Sequence, residues 1–358
     1  MDSIGKVLSR FKPNIQNLER FTKGRLPTFV TGVDLDDSFI PWKENEYRRS
    51  VNNNFLQSNQ IAFREVADRG VFVVLTGIDY KSVQEINDLL PFTDILTTDN
   101  GLEMRINNKG ELPKIWLAKD HEVTPNSDWK SFIKNETGWD RKLFFDVSNR
   151  VLNNFGYVVE INDKNQRPEI AYPHHDVRKS FDNSVTVIFS PGELALYLLK
   201  EADFPSEYYK TAGETLAMNV LSKYNKSSQG NKIKYKMSEH DTYFYIFFSP
   251  VGEVEINKAS AFNASLNLLP ETVRNNLEFG IGIGDSGNDK HSALQEITVP
   301  RDEYKTIPVY SIVSGGNSCL LKDLKIKKHP RLVIAKEEGN IGPAFKHVIQ
   351  RANKETNK

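Results

Sequence analysis

Cysteine is almost missing from this chain: Cys319 is the single example among 358 residues. One thiol forms no internal disulfide, which sets aside a stapled secreted scaffold and points to a reducing compartment, the cytoplasm. Excess charge is missing too. Lys plus Arg and Asp plus Glu both number 47, giving a formal net charge of zero. That balance argues against a chain-wide field for nucleic acid or an anionic membrane surface, so no nucleic-acid partner is expected. No run approaches the roughly 18 apolar residues that a membrane helix requires, so no integral membrane segment is expected. Residues 1–27 lack the apolar core of a secretory signal. They set Ile4, Val7, Leu8 and Phe11 among Lys6, Arg10 and Lys12, the spacing of a short helix with one basic face, which Pro13 limits. Such a helix either packs on the core or docks on a partner or membrane surface.

What is present reads as an α/β protein. Apolar runs at Thr28–Val33, Val71–Leu75 and Asp94–Leu96 read as strands, separated by helical patterns over residues 46–69, with Gly70 as its stop, and around Val83, Ile86, Leu89 and Leu90, stopped by Pro91. Strands that are apolar throughout and alternate with helices indicate a doubly wound parallel sheet covered on both faces. The texture changes after Leu117. Helical patterns over 127–155, 192–200 and 213–224 and strand patterns over 184–189, 232–237 and 242–248 describe a separate α+β unit. A strand at Phe279–Ile283, another at Arg331–Ala335 and a closing helix over 342–354 return to the first pattern, while 311–318 reads as a surface loop. The organisation expected is an extension over 1–26, a core from 27–117 and 251–358, and an inserted domain over 118–250.

Two acidic clusters terminate strands of the core, Asp34-Leu35-Asp36-Asp37-Ser38 and Gly284-Asp285-Ser286-Gly287-Asn288-Asp289. Ligands of parallel sheets bind beyond the carboxyl ends of the strands, where these loops and Thr76-Gly77 lie. Four carboxylates there repel one another unless a cation or proton holds them. Phosphoryl transfer has use for such a set: one Asp as nucleophile, a second as acid and then base, and Mg²⁺ held by the remaining oxygens. Asp34 and Asp36 are the candidates for covalent and proton chemistry, Asp285 and Asp289 for the metal, and Thr76 with the Gly77 amide for a phosphate oxygen. Gly282, Gly284 and Gly287 also match a dinucleotide fingerprint, but Asp285 and Asp289 place negative charge where its pyrophosphate needs a clear helix terminus.

The motifs in this order resemble the haloacid dehalogenase superfamily of phosphatases, in particular the sugar-phosphatase branch that includes sucrose-phosphate phosphatase and the Cof-type enzymes. The resemblance covers about 27–117 and about 254 onward, with Ser38 for the usual Thr, Ile78 where an Arg is frequent, and Asn100-Gly101 after the third core strand. It implies a Rossmann-like core with an inserted α/β cap that closes over it. It also implies a Mg²⁺-dependent phosphatase acting on a small phosphorylated metabolite, most plausibly a sugar phosphate, through an aspartyl-phosphate. Asp34 would be nucleophile and metal ligand, Asp36 acid/base and a ligand through its carbonyl, Asp285 a further ligand, and Asn288 and Asp289 supports. The family's phosphate-binding Lys is expected at the start of a helix after the inserted domain. An ungapped register puts Phe262 there, with Lys258 one turn earlier and Lys290 as another source of positive charge. If neither lysine serves, the chain would be a binding or regulatory module with weakened catalysis. In the inserted domain, Tyr172-Pro173-His174-His175-Asp176 invites a metal reading, but adjacent His and Asp in a loop are more often solvated or hydrogen-bond partners, with contact to substrate hydroxyls ahead of a metal site, and Glu193 takes no assigned role.

Overall fold

The apolar runs that read as strands in the sequence lie side by side in the computed structural model, which describes residues 10–11, 26–45, 48–85, 93–106, 126–159, 176–180, 185–190, 194–200, 204–228, 232–239, 243–286, 289–300, 305–315, 320–321 and 329–356. Its elements divide into two compact units, one from residues 1–130 and 257–358, the other from 131–256.

The first unit begins with β1 (Phe29–Val33), the hairpin β2 (Trp42–Asn45) and β3 (Arg48–Val51), α1 (Asn53–Arg64), β4 (Gly70–Leu75), α2 (Tyr80–Glu85), β5 (Ile95–Thr98) and β6 (Glu103–Ile106). Helix α3 (Ser127–Thr137) leads into the second unit, which continues with α4 (Arg141–Asn154), β7 (Val158–Val159), β8 (Asp176–Lys179), β9 (Thr186–Ser190), β10 (Ala195–Leu199), α5 (Ser206–Ser227), β11 (Lys232–Glu239) and β12 (Tyr243–Val251). The chain returns to the first unit with α6 (Lys258–Ser265), α7 (Glu271–Asn276), β13 (Phe279–Gly284), β14 (Glu296–Val299), β15 (Lys305–Val313), β16 (Leu332–Ile334) and α8 (Gly342–Thr356).

The sheet of the first unit runs β14-β15-β13-β1-β4-β5-β6, with β16 beside β15. Its centre is parallel, because β1 pairs with both β13 and β4 in that sense. Burial of β1, β4 and β13 along their whole length is what allows apolar residues at every position. One face packs on α1 and α8 through an aromatic cluster. Phe63 stacks on Phe345 at 4.2 Å, and Phe29 meets Phe72, Phe279 and Phe345. The other face receives α6 close in at Gly32, where an added Cβ would lie 2.9 Å from the Phe262 ring and from Leu75.

The second unit is an antiparallel sheet, β11-β12-β10-β9-β8-β7. Alternation along β12 divides its aromatics between two faces. Phe248 packs edge-on against Phe144 of α4 at 5.2 Å, and Ile246 meets α5 at Gly213, whose missing side chain allows close approach. Tyr245 and Phe247 stack with each other, and Tyr245 meets Tyr197 of β10.

Several sequence expectations are corrected here. Of the helix expected over 192–200, the described residues 194–200 form none: Ala195–Leu199 is a strand between β9 and β12, and a short apolar run carries no period that separates the two. The helix expected over 46–69 is α1 alone, preceded by β3, and Gly70 opens β4. There it leaves room for Phe29, whose ring would lie 2.4 Å from an added Cβ. The single helical stretch over 127–155 is two helices broken near Gly138, which holds a positive φ of 62°. Ser311–Val313 is not loop but the end of β15, beside β13 and β16. Pro308 hides that strand in the sequence, and it falls one residue before the pairing with β13 begins at Val309.

Of the expected amino-terminal helix, only Arg10 and Phe11 are among the described residues, and Phe11 is buried edge-on against Trp129 at 5.1 Å. Tyr172 to His175, Glu193, Gly287, Asn288 and Cys319 lie outside the described residues. Among the described residues no helix is long and apolar enough to cross a membrane.

Candidate active site

Strand register brings the three sequence motifs together. Val33 at the end of β1 lies opposite Ile283 of β13 on one side and Val74 of β4 on the other. Asp34, Asp285 and Thr76 therefore emerge from three adjacent strands at one edge of the sheet. Asp34 leaves β1 with its amide donating to the Ile283 carbonyl at 3.0 Å, so its backbone still belongs to the sheet. The loop after it is tight. Ile40 donates to the Leu35 carbonyl at 2.7 Å and Asp37 to the Ile40 carbonyl at 3.0 Å, with Asp37 at a φ of 52°. Ser38 turns its hydroxyl across to Asp285 Oδ1 at 3.2 Å.

Lysine reaches this cluster from the opposite direction. Asn257 caps α6, accepting from the Ala259 and Ser260 amides, while Ser260 Oγ accepts from the Asn257 amide at 2.9 Å. The reciprocal cap fixes the helix start, and Lys258 is its first residue. Its ammonium donates to Asp34 Oδ1 at 2.5 Å and to Asp289 Oδ1 at 2.6 Å, with only 2% of the residue exposed. Phe262, one turn later, fills the core between Gly32 and His291. Lys290 opens the short 3₁₀ turn after Asp289.

Asp289 organises its own loop. Its Oδ2 accepts from the Asp285 amide at 3.1 Å, the Ser286 amide at 3.0 Å and the Ser286 hydroxyl at 3.0 Å, and its Oδ1 from Lys258. A carboxylate offers about four lone-pair positions; three donors converge on Oδ2, and Lys258 takes one position on Oδ1. The glycines of the loop make this possible. A Cβ on Gly284 would lie 2.4 Å from Asp289 Cβ, and one on Gly282 2.6 Å from the His291 carbonyl. These close approaches, and the 3₁₀ turn Lys290–Ala293 that follows, account for the Gly-x-Gly pattern without a dinucleotide.

The electrostatics follow from burial. Desolvation, the Asp289 charge and the nearby Asp36 raise the Asp34 carboxyl well above its usual range, against the lowering effect of Lys258. Asp285 is raised in the same way, by burial and then by Asp289, Asp34 and Asp37. Burial also disfavours the charged form of Asp289, but Lys258 and His291 outweigh it and its pKa is lowered. Burial alone would lower the Lys258 pKa, yet Asp289 and Asp34 leave it raised. One ammonium thus meets two buried carboxylates, Asp34 and Asp289, with the half-buried Asp285 nearby, and burial and mutual repulsion leave Asp34 and Asp285 holding a proton more readily than an ordinary carboxyl. One carboxylate oxygen each of Asp34, Asp285 and Asp289 lies within 4.8 Å of the others, a hard-oxygen set that fits a divalent cation.

Thr76 and Gly77 complete the edge. Thr76 is fully buried, its amide bound to the Thr97 carbonyl and its Oγ1 accepting from the Ile78 amide at 3.2 Å. Asn100, held at a φ of 53°, lies against Gly77, and its amide donates to the Thr76 carbonyl at 3.1 Å.

Asn257 carried no motif in the sequence and was legible as a cap only through Ser260 three residues on, while Ser38 was legible as the last residue of the first acidic motif but not as a partner of Asp285.

No protein-family model and no curated protein matches the chain. Among solved structures it is similar to the sucrose-phosphatase of Synechocystis in complex with sucrose and phosphate, at 13% identity and a TM-score of 0.47 over 91% of this chain and 99% of that one. It is similar to a trehalose-6-phosphate phosphatase of Aspergillus fumigatus at 12% identity and 0.42, over 94% and 96%. A haloacid dehalogenase-like hydrolase of Bacteroides thetaiotaomicron is similar at 12% and 0.44, over 90% and 99%. Identities of this size concern the course of the chain, and the chemistry rests on the residues above.

Proposed function

We propose that the chain is a Mg²⁺-dependent phosphatase of a small phosphorylated metabolite, a sugar phosphate, working through an aspartyl-phosphate. The observation that carries this reading is the Lys258 ammonium held between Asp34 and Asp289 at the meeting point of three strand-end loops. A buried lysine there serves a group more anionic than the carboxylates alone, and a phosphoryl group is such a group.

Asp34 attacks phosphorus as the bond to the ester oxygen breaks, and Asp36 gives its proton to the departing alkoxide. Asp36 then takes a proton from water, whose oxygen attacks the same phosphorus. Inorganic phosphate leaves and the Asp34 carboxylate is restored. Lys258 offsets the charge that accumulates between Asp34 and the phosphoryl oxygens, and the Thr76 hydroxyl and Gly77 amide donate to those oxygens. Asp34 and Asp285, with the Asp36 carbonyl, would hold Mg²⁺. Asp289, already met by four donors, aims Lys258 and closes its loop. Bound Mg²⁺ supplies the positive charge that keeps the nucleophile ionised and the phosphoryl group neutralised.

The rival reading, a binding module that has lost catalysis, depends on a site without its lysine. Lys258 in contact with Asp34 favours the enzyme reading over it. Sugar phosphate as the substrate class follows from the motif resemblance. Phosphate release measured over a panel of phosphorylated sugars and other small phosphate esters tests it. Turnover concentrated among the sugars supports the class, and turnover confined to another class would replace it.

A further inference from the structure

We propose that Ser314 is a positioning residue that holds the acid/base loop through the Asp37 carbonyl. The proposal rests on the reading of Asp36 as the group that protonates the leaving oxygen.

The loop from Asp34 to Ile40 carries the proposed acid, and its backbone passes through the left-handed region at Asp37, which side chains other than Asn and Asp seldom occupy. Such a residue keeps its conformation when neighbours over-determine it. The neighbours come from the far end of the chain. Ser314, fully buried just beyond β15, donates its hydroxyl to the Asp37 carbonyl at 2.6 Å and accepts from the Gly339 amide at 2.7 Å. Its own amide donates to the Gly284 carbonyl at 2.9 Å, which ties it to the strand that ends in the second acidic cluster. The hydroxyl has one proton and receives one, so both of its roles are taken.

A second buried side chain closes the circuit. Asn59 of α1 donates to the Gly339 carbonyl at 2.7 Å and to the Phe39 carbonyl at 2.9 Å, and accepts from the Gly342 amide at 2.7 Å. The loop is therefore gripped from behind at residues 37 and 39, on either side of Ser38, whose hydroxyl faces Asp285. Gly339, at a φ of 73°, admits this arrangement because a Cβ there would lie 2.4 Å from Pro41. Of the two side chains, Ser314 is the more telling to change. It bonds the carbonyl of Asp37, the residue after Asp36, whereas Asn59 also holds the start of α8.

General acid catalysis gives the test its sensitivity. A nitrophenolate leaves phosphorus with little need of a proton, and a phenolate needs one more. If Ser314 aims Asp36, Ser314→Ala lowers kcat/KM for phenyl phosphate roughly tenfold, a fraction of what a positioned acid supplies, and for 4-nitrophenyl phosphate by about twofold or less. Both are measured with Mg²⁺ present. Ser314→Thr, which keeps the hydroxyl, restores the ratio. A merely structural serine would reduce both substrates together with the folded fraction, read in parallel from thermal melting. Equal losses on the two esters, or no loss on either, would overturn the proposal. If Ser314→Ala does not fold, Ser314→Cys keeps the size and weakens the donor, and the same ratio decides. A wild-type chain inactive on both esters would overturn the phosphatase reading itself, a result distinct from an active enzyme with an unchanged ratio.

Discussion

Lys258 and Asp34 lie 224 residues apart in the chain and 2.5 Å apart at Nζ and Oδ1. The contact closes the polar site, and it makes the lysine costly to remove. Lys258→Met is expected to lower kcat/KM by about 10²- to 10³-fold, the range for loss of one preorganised electrostatic partner. Assays at saturating Mg²⁺ check this, with Lys258→Arg showing partial recovery.

The same substitution has a stability signature. It leaves Asp34 and Asp289 buried without their counter-charge, a loss on the order of 3–5 kcal/mol near neutral pH in metal-free buffer. Part of that deficit relative to wild type disappears as the pH falls and the two carboxylates take up protons. Denaturant titrations of both proteins at pH 7.5 and pH 5.5 measure it. A deficit that stays constant with pH would assign the lysine a packing role.

Asp285 and Asp289 are expected to separate by experiment. Asp285→Asn raises the Mg²⁺ concentration needed for half-maximal activity by at least about tenfold, because a proposed ligand is weakened. Asp289→Asn loses activity with a smaller change in Mg²⁺ requirement, because its oxygens hold Lys258 and the 285–286 amides. Magnesium titrations of the two variants give the comparison.

How much of this was legible in the sequence depended on what each residue needed from its neighbours. Asp34, Thr76 and Asp285 follow short, uncharged, largely apolar runs bounded by turn signals, the pattern of a strand buried on both faces. Their convergence could be read. Lys258 could not be placed by motif spacing, because what fixes it is the cap made by Asn257 and Ser260, a local hydrogen-bond exchange that starts α6 one turn before Phe262. Ala195–Leu199, read as part of a helix, and Ser311–Val313, read as loop, lie in strands hidden in the sequence for related reasons. Ala195–Leu199 is apolar at every position and so shows no two-residue period, and Pro308 interrupts the pattern one residue before β15 pairs with β13. The contacts of Ser314 and Asn59 left no trace at all, since buried polar residues that bond to backbone groups follow no sequence period.

His291 adds a pH dependence of its own. Burial pushes its pKa down from 6.5 to about 4, and Nε2 lies 2.9 Å from the Ile283 carbonyl. Between those values the folded state binds fewer protons than the unfolded one, so the contribution is fully present above pH 6.5 and is lost as the pH falls toward 4. The span is worth about 3 kcal/mol. Asp34 and Asp285, whose pKa values are raised, act in the opposite direction, so the comparison is between slopes. His291→Gln is expected to show less loss of unfolding free energy than wild type between pH 6.5 and pH 4.5. Equal slopes would mean that the imidazole is not kept neutral by burial.

The most direct test of the whole account is hydrolysis of 4-nitrophenyl phosphate by wild type and Asp34→Asn, each with Mg²⁺ and with the metal chelated. Wild type is expected to turn over only with Mg²⁺ present, and Asp34→Asn to lose at least about 10³-fold of that Mg²⁺-supported activity, the effect of removing a covalent nucleophile. Metal-independent turnover, or an Asp34→Asn variant as active as wild type, would contradict it.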